Sequence, residues 1–183
     1  ATQGRVKATA AETGASVQNI QQVVAGTYQV AFALADTAAD AVAGTAAFDK
    51  KQPLAALARI YPNYTQVIAR TDSGITSIDG MRGKRISTGS PGSGTEVIAN
   101  RLLESAGLNP GSDVAAQRLD LTKTVDGMKE GAIDAMFFSG GLPTPGITDL
   151  ITTGRDKVTF IDVTPQLTQM QTISSAYEPS VIP

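Results

Sequence analysis

No histidine, cysteine or tryptophan occurs among the 183 residues, and aromatic residues make up only 5% of the chain. Without His or Cys there is no imidazole general base, no thiol nucleophile, no imidazole or thiolate metal ligand and no disulfide. Serine is plentiful, yet none has a histidine to activate it, and no Ser-x-x-Lys pattern offers lysine as a base. These absences predict a protein that is not an enzyme. Charge is scarce as well: Asp, Glu, Lys and Arg account for 17% of the residues, below the usual proportion of about a quarter. Fifteen basic residues against seventeen acidic ones give a net charge of -2, too small and of the wrong sign to hold a phosphate backbone, so nucleic acid is excluded as a partner. No apolar run approaches the roughly 20 residues of a membrane span. The lack of cysteine suits exported bacterial proteins and many cytosolic ones alike.

What the chain does have is small: 26 Ala, 21 Thr and 18 Gly. At about 150 residues per domain the length predicts one domain or two small ones. Helix and strand signals alternate throughout, which predicts an α/β fold. Strands are expected over 5–10, 28–34, 54–61, 64–70, 84–88, 116–121, 132–138 and 158–163. The 28–34 run has the near-continuous apolar character of a parallel strand covered on both faces. Helices are expected from Ser16, read as an N-cap, to a stop at Gly26; from Thr37 to Gly44; from Thr95 to Gly107; over 122–130 with a stop at Gly131; from Pro145 to Gly154; and from Pro165 to about Ser175. The turn Asp72-Ser73-Gly74 marks a candidate boundary, dividing a first lobe (1–70) from a second (71–163), with 164–183 starting back towards the first.

The sharpest local feature is Gly89-Ser90-Pro91-Gly92-Ser93-Gly94-Thr95, lying between a strand and a helix. Glycine lets the backbone approach a ligand closely, and the amides of a first helical turn carry about half a positive charge. Ser90, Gly92, Ser93, Gly94 and Thr95 are therefore candidate anion-binding residues; the competing reading is a tight strand-to-helix turn capped by Thr95. A Walker loop needs Lys before its Ser or Thr, where Gly94 stands, and the dinucleotide Gly-x-Gly-x-x-Gly spacing is missing. A carboxylate thus fits better than a polyphosphate, and no cofactor is assigned.

Ser16 and Asn19 lie one turn apart at a helix start, where both face a cleft or serve as cap and backbone partner. Asp36 takes a ligand ammonium or caps the helix that follows it. Tyr61, before Pro62, is a ligand-facing phenol or a surface aromatic, and Ser139-Gly140 follows a buried strand as Asp36 does. Open α/β sheets bind ligands beyond the carboxyl ends of their strands, which raises all these positions together. Asp36 and Asp40 share a helix face with no further ligand nearby, so no metal is assigned.

Taken in order, Gly14-Ala15-Ser16-Val17-Gln18-Asn19-Ile20, Ala35-Asp36, Leu57-Ala58-Arg59-Ile60-Tyr61-Pro62, Arg70-Thr71-Asp72-Ser73-Gly74-Ile75, Gly83-Lys84-Arg85-Ile86-Ser87, Ser90-Pro91-Gly92-Ser93-Gly94-Thr95, 131–138 and Pro143-Thr144-Pro145 resemble the TAXI solute receptors of TRAP transporters. The resemblance spans nearly the whole chain, and its most diagnostic part is the Pro-Gly-Ser-Gly-Thr loop. It implies a two-lobed periplasmic binding protein type II fold in a periplasmic receptor that closes on an amino acid such as glutamate, or a related dicarboxylate, and delivers it to the TRAP membrane subunits. It further implies a carboxylate resting on Ser90, Ser93, Gly94 and Thr95, with Gly14, Ser16, Asn19, Asp36 and Tyr61 approaching from the other lobe. The family has a second glycine where Ala15 stands and often an acidic residue where Gln18 stands. Its first glycine-rich strand and its C-terminal return segment are expected to lie outside these 183 residues, whose start at Ala1 points to a removed leader or an internal piece. Two other functions use the same fold: the effector-binding domain of a cytoplasmic regulator, and a transferase holding phosphate on the glycine loop.

Overall fold

The structure is a computed structural model that describes residues 5–182. Along the chain run α1 (Ser16–Val24), α2 (Ala35–Ala43), β1 (Tyr64–Arg70), β2 (Arg85–Ser87), α3 (Gly94–Ser105), β3 (Ala115–Gln117), α4 (Leu121–Glu130), β4 (Ala135–Gly140), α5 (Pro145–Thr153), β5 (Val158–Phe160) and α6 (Leu167–Ile173), with 3-10 turns at Thr71–Ser73, Asp79–Met81 and Thr164–Gln166. The strands form one sheet in the order β3-β2-β4-β1-β5. β2 is parallel to β3 and β4, whereas β1 is antiparallel to β4 and β5.

Alternation along the strands sorts side chains onto two packed faces. Val67 and Ala69 of β1, Ile86 of β2 and Phe137 of β4 meet Ile98 and Leu102 of α3 and Met170 of α6. On the reverse face Ile68 and Met136 meet Val125 and Met128 of α4 and Ile147 and Leu150 of α5. A third, smaller cluster joins Val17 and Ile20 of α1 to Ala41 of α2 and Phe48, with Val97 of α3 packed against it. That contact helps to seat the first two helices on the sheet domain.

Helix stops follow local chemistry. Gly44 and Gly131 take the left-handed conformation just after α2 and α4, with φ of 73° and 80°. Asp120 caps α4 by accepting from the Lys123 amide at 2.9 Å.

The segments 5–10, 28–34 and 54–61 are not strands. Each is irregular, and Val30 and Phe32 are 65% and 72% exposed, so the reading of 28–34 as a buried parallel strand is corrected. β-branched and aromatic residues favour a strand only where a neighbouring strand completes the pairing. Among the described residues no helix is long and apolar enough to cross a membrane.

Candidate functional site

β2 ends at Ser87, which like the following Thr88 is buried, and the chain turns through Gly89, with φ of 94°, towards α3. A side chain at Gly89 would collide with Thr95, whose Cγ2 lies 2.8 Å from the site of an added Cβ. Ser93, rather than Thr95, is the N-cap: its Oγ accepts from the Glu96 amide at 3.0 Å. Ser93 and Glu96 have the Ser-x-x-Glu spacing of a capping box. The Glu96 carboxylate reaches past the cap to the Gly92 amide at 2.8 Å, and Arg118 pairs with it from outside. The Gly92 amide is thereby engaged, while Gly94 and Thr95 stand at the head of α3 ahead of its first intrahelical hydrogen bonds.

Thr95 turns its hydroxyl towards the end of β4, where Oγ1 accepts from the Ser139 amide at 3.3 Å. Ser139 Oγ lies 3.0 Å from Thr65 Oγ1 across the β1–β4 pairing. The Tyr61 ring is exposed and lies beside Gly141 at the same strand end. Gly140 is close to the Phe138 ring, which occupies the space a side chain there would need. The structure thus brings Thr95 to Ser139 and Tyr61 to Gly141 at the end of β4.

The first helix approaches from the opposite side. Ser16 is the first residue of α1, not its cap, which is Ala15; the Ser16 hydroxyl instead accepts from the Leu34 amide at 3.0 Å. Asn19 Nδ2 donates to the Phe32 carbonyl at 2.8 Å, and its Oδ1 accepts from Thr13 at 2.5 Å. These two side chains hold the extended 32–34 segment against α1. The Val17 amide donates to the Gly92 carbonyl at 3.0 Å. Gly94 abuts Leu34 and Ser16, and Gly14 abuts the Pro91 carbonyl, so the glycines are where the two sides touch. Ala15 has φ of 79° and ψ of -144°, a region costly for any residue with a Cβ.

Asp36 stands apart from the loop. Oδ1 accepts from the Thr37 amide at 2.7 Å, while Oδ2 accepts from Arg101 Nη1 at 3.2 Å and from the Tyr177 phenol at 2.6 Å. Asp40 accepts from Arg101 Nη2 at 2.6 Å. Burial and the adjacent Asp36 carboxylate push the Tyr177 hydroxyl above its ordinary pKa. Burial works against the Arg101 charge, but Tyr177, Asp40 and Asp36 together hold its pKa above the ordinary value. A guanidinium therefore sits between the two aspartates. Arg101 and Tyr177 did not stand out in the sequence; the available signal was Arg101 on the apolar stripe of Ile98 and Leu102. Among the described residues no group of three or more His, Cys, Asp or Glu side chains is placed to hold a metal.

The α/β architecture with its mixed sheet is that of the type II periplasmic binding fold. The alkanesulfonate-binding protein from Xanthomonas axonopodis pv. citri bound to MOPS superposes with a TM-score of 0.50 at 16% identity, over 83% of this chain and 48% of that one. A periplasmic aliphatic sulphonate binding protein from Escherichia coli matches at 16% identity over 61% of this chain and 42% of its own, with a TM-score of 0.42. An ancestral arginine-binding protein bound to arginine matches at 14% identity over 55% and 41%, with a TM-score of 0.39. The 183 residues span less than half the length of each. The chain belongs to the NMT1-like family, whose model matches residues 1–183.

Proposed function

We propose that this chain is part of an extracytoplasmic solute receptor of the TAXI kind, which captures a small carboxylate or amino acid and passes it to TRAP transporter membrane subunits. The observation that carries this reading is the loop from Gly89 to Thr95. Ser93 caps α3, Thr95 reaches the end of β4 and the first turn of α1 docks on the Gly92 carbonyl. A solute held there contacts both sides, so it stabilises the closed arrangement by its differential affinity for it. The ligand carboxylate rests on Ser90, Ser93, Gly94 and Thr95, where helix amides and hydroxyls favour one negative charge. Gly14, Ser16 and Asn19 form the facing wall, and Ser139, Gly140 and Tyr61 close the third side. Asp36 acts here through Arg101, positioning α2 against α3. With no imidazole or thiol in the chain, the site binds without reacting.

Calorimetry on the full-length receptor tests this reading with glutamate, succinate and a short alkanesulfonate. Replacing Ser93 and Thr95 together by Ala should weaken carboxylate binding by about 1–3 kcal/mol through lost hydrogen bonds. Unchanged affinity would remove the loop from the site.

A further inference from the structure

The glycine loop carries a formal negative charge of its own. Glu96 stands in the first turn of α3, and its Oε2 accepts from the Gly92 amide at 2.8 Å and from Arg118 Nη2 at 3.1 Å, while Oε1 accepts from Arg118 Nε. Arg118 lies one residue beyond β3, so it reaches the loop from the carboxyl end of the strand that runs parallel to β2. The Glu96 side chain is 15% exposed and that of Arg118 56%. The carboxylate is therefore the enclosed member of the pair, and the guanidinium faces solvent.

The magnitudes decide what this pair does. A helix N-terminus carries about half a positive charge, which a single full carboxylate outweighs. With Glu96 alone, the head of α3 would repel an anion. Neighbouring elements supply no countercharge: the first turn of α1, Ser16 to Asn19, holds no charged side chain. Arg101, about two turns further along α3, is held between Asp36 and Asp40, which leaves that cluster with one net negative charge. Among the described residues Arg118 is the cation paired with Glu96. Once it neutralises that carboxylate, the loop returns to about half a positive charge, and the amides of Gly94 and Thr95 stay ahead of the first intrahelical bonds.

We propose, on the footing that the glycine loop is the solute site, that Arg118 makes this site selective for small molecules of net negative charge. It acts through Glu96, setting the sign of the field at the loop, and not by touching the solute. A dicarboxylate is thereby favoured over its half-amide, which has the same length and one charge fewer.

Calorimetry on the full-length receptor with succinate and succinamate reads this selectivity. Arg118→Gln should lower the ratio of succinate to succinamate affinity about fivefold, the size of one charge–charge interaction near a protein surface, and Arg118→Lys should keep the parental ratio. Adding Glu96→Gln to Arg118→Gln should restore the ratio, because glutamine serves a capping box as glutamate does and the uncompensated charge is gone. A pair that only supported the loop would weaken both ligands alike and would gain nothing from the second substitution. Suppose Ser93→Ala with Thr95→Ala weakens succinate binding, but the ratio is unmoved in Arg118→Gln or stays low in the double variant: the role of Arg118 is then overturned and the receptor reading stands. Succinate binding that is absent from the parent, or insensitive to Ser93 and Thr95, would overturn both.

Discussion

The amide of Val17, in the first turn of α1, donates to the carbonyl of Gly92 at 3.0 Å. Two helix starts thus meet at one loop, and Gly94 stands at the closest approach. A Cβ built there lies 2.5 Å from Leu34 Cδ1 and 2.8 Å from Ser16 Oγ. Gly94→Ala should therefore loosen the docking of residues 15–34 at a cost of about 1–3 kcal/mol. Hydrogen exchange checks this: protection should fall in α1 and α2 and stay unchanged in β1 and β4.

Arg101 is the cation between Asp36 and Asp40, with 9% of its side chain exposed against 3% and 10% for theirs. Arg101→Met leaves two buried carboxylates without their partner, and breaking such a pair costs about 3–5 kcal/mol. Denaturant titration should show that loss, and the triple variant Arg101→Met, Asp36→Asn, Asp40→Asn should recover most of it. A single variant as stable as the parent would mean that the cluster is not closed in solution.

Ala15 adopts φ of 79° and ψ of -144°, a conformation that glycine takes without a Cβ penalty. The strain removed exceeds the added flexibility of the unfolded chain, so Ala15→Gly should stabilise the fold by about 1 kcal/mol. A rise in the urea midpoint at constant m-value is the readout.

The elements that were legible in the sequence carry their signals locally. β4 could be read from its uninterrupted apolar run, α2 and α4 from the glycines that end them, and α3 from the glycine loop that precedes it, although its cap is Ser93 and not Thr95. The glycine loop needed no partner to be recognised, because a strand, a Gly-rich turn and a helix follow one another directly. By contrast, 28–34 and 54–61 have strand composition but gain no strand neighbour, and Val30, Phe32, Leu57, Ile60 and Tyr61 remain exposed. Asp36 offers the same limit at the site. Its partners Arg101 and Tyr177 lie 65 and 141 residues away in sequence, and no spacing rule links them.

Asp134 contributes to the acid side of the stability profile. Its Oδ2 accepts from the Arg85 amide at 2.9 Å and from Arg85 Nε at 3.0 Å, tying the approach to β4 to the start of β2. The Arg85 side chain holds the Asp134 carboxyl below its ordinary pKa, against the opposing effect of burial. A depressed value in the folded state means that the ionised form favours folding. Its contribution is complete above the unfolded value of about 4 and is lost as pH falls through the folded one. Urea midpoints measured from pH 6 down to pH 2.5 should fall more steeply for the parent than for Asp134→Asn, the two converging at the acid end. Parallel profiles would show that Asp134 does not titrate differently in the folded and unfolded states.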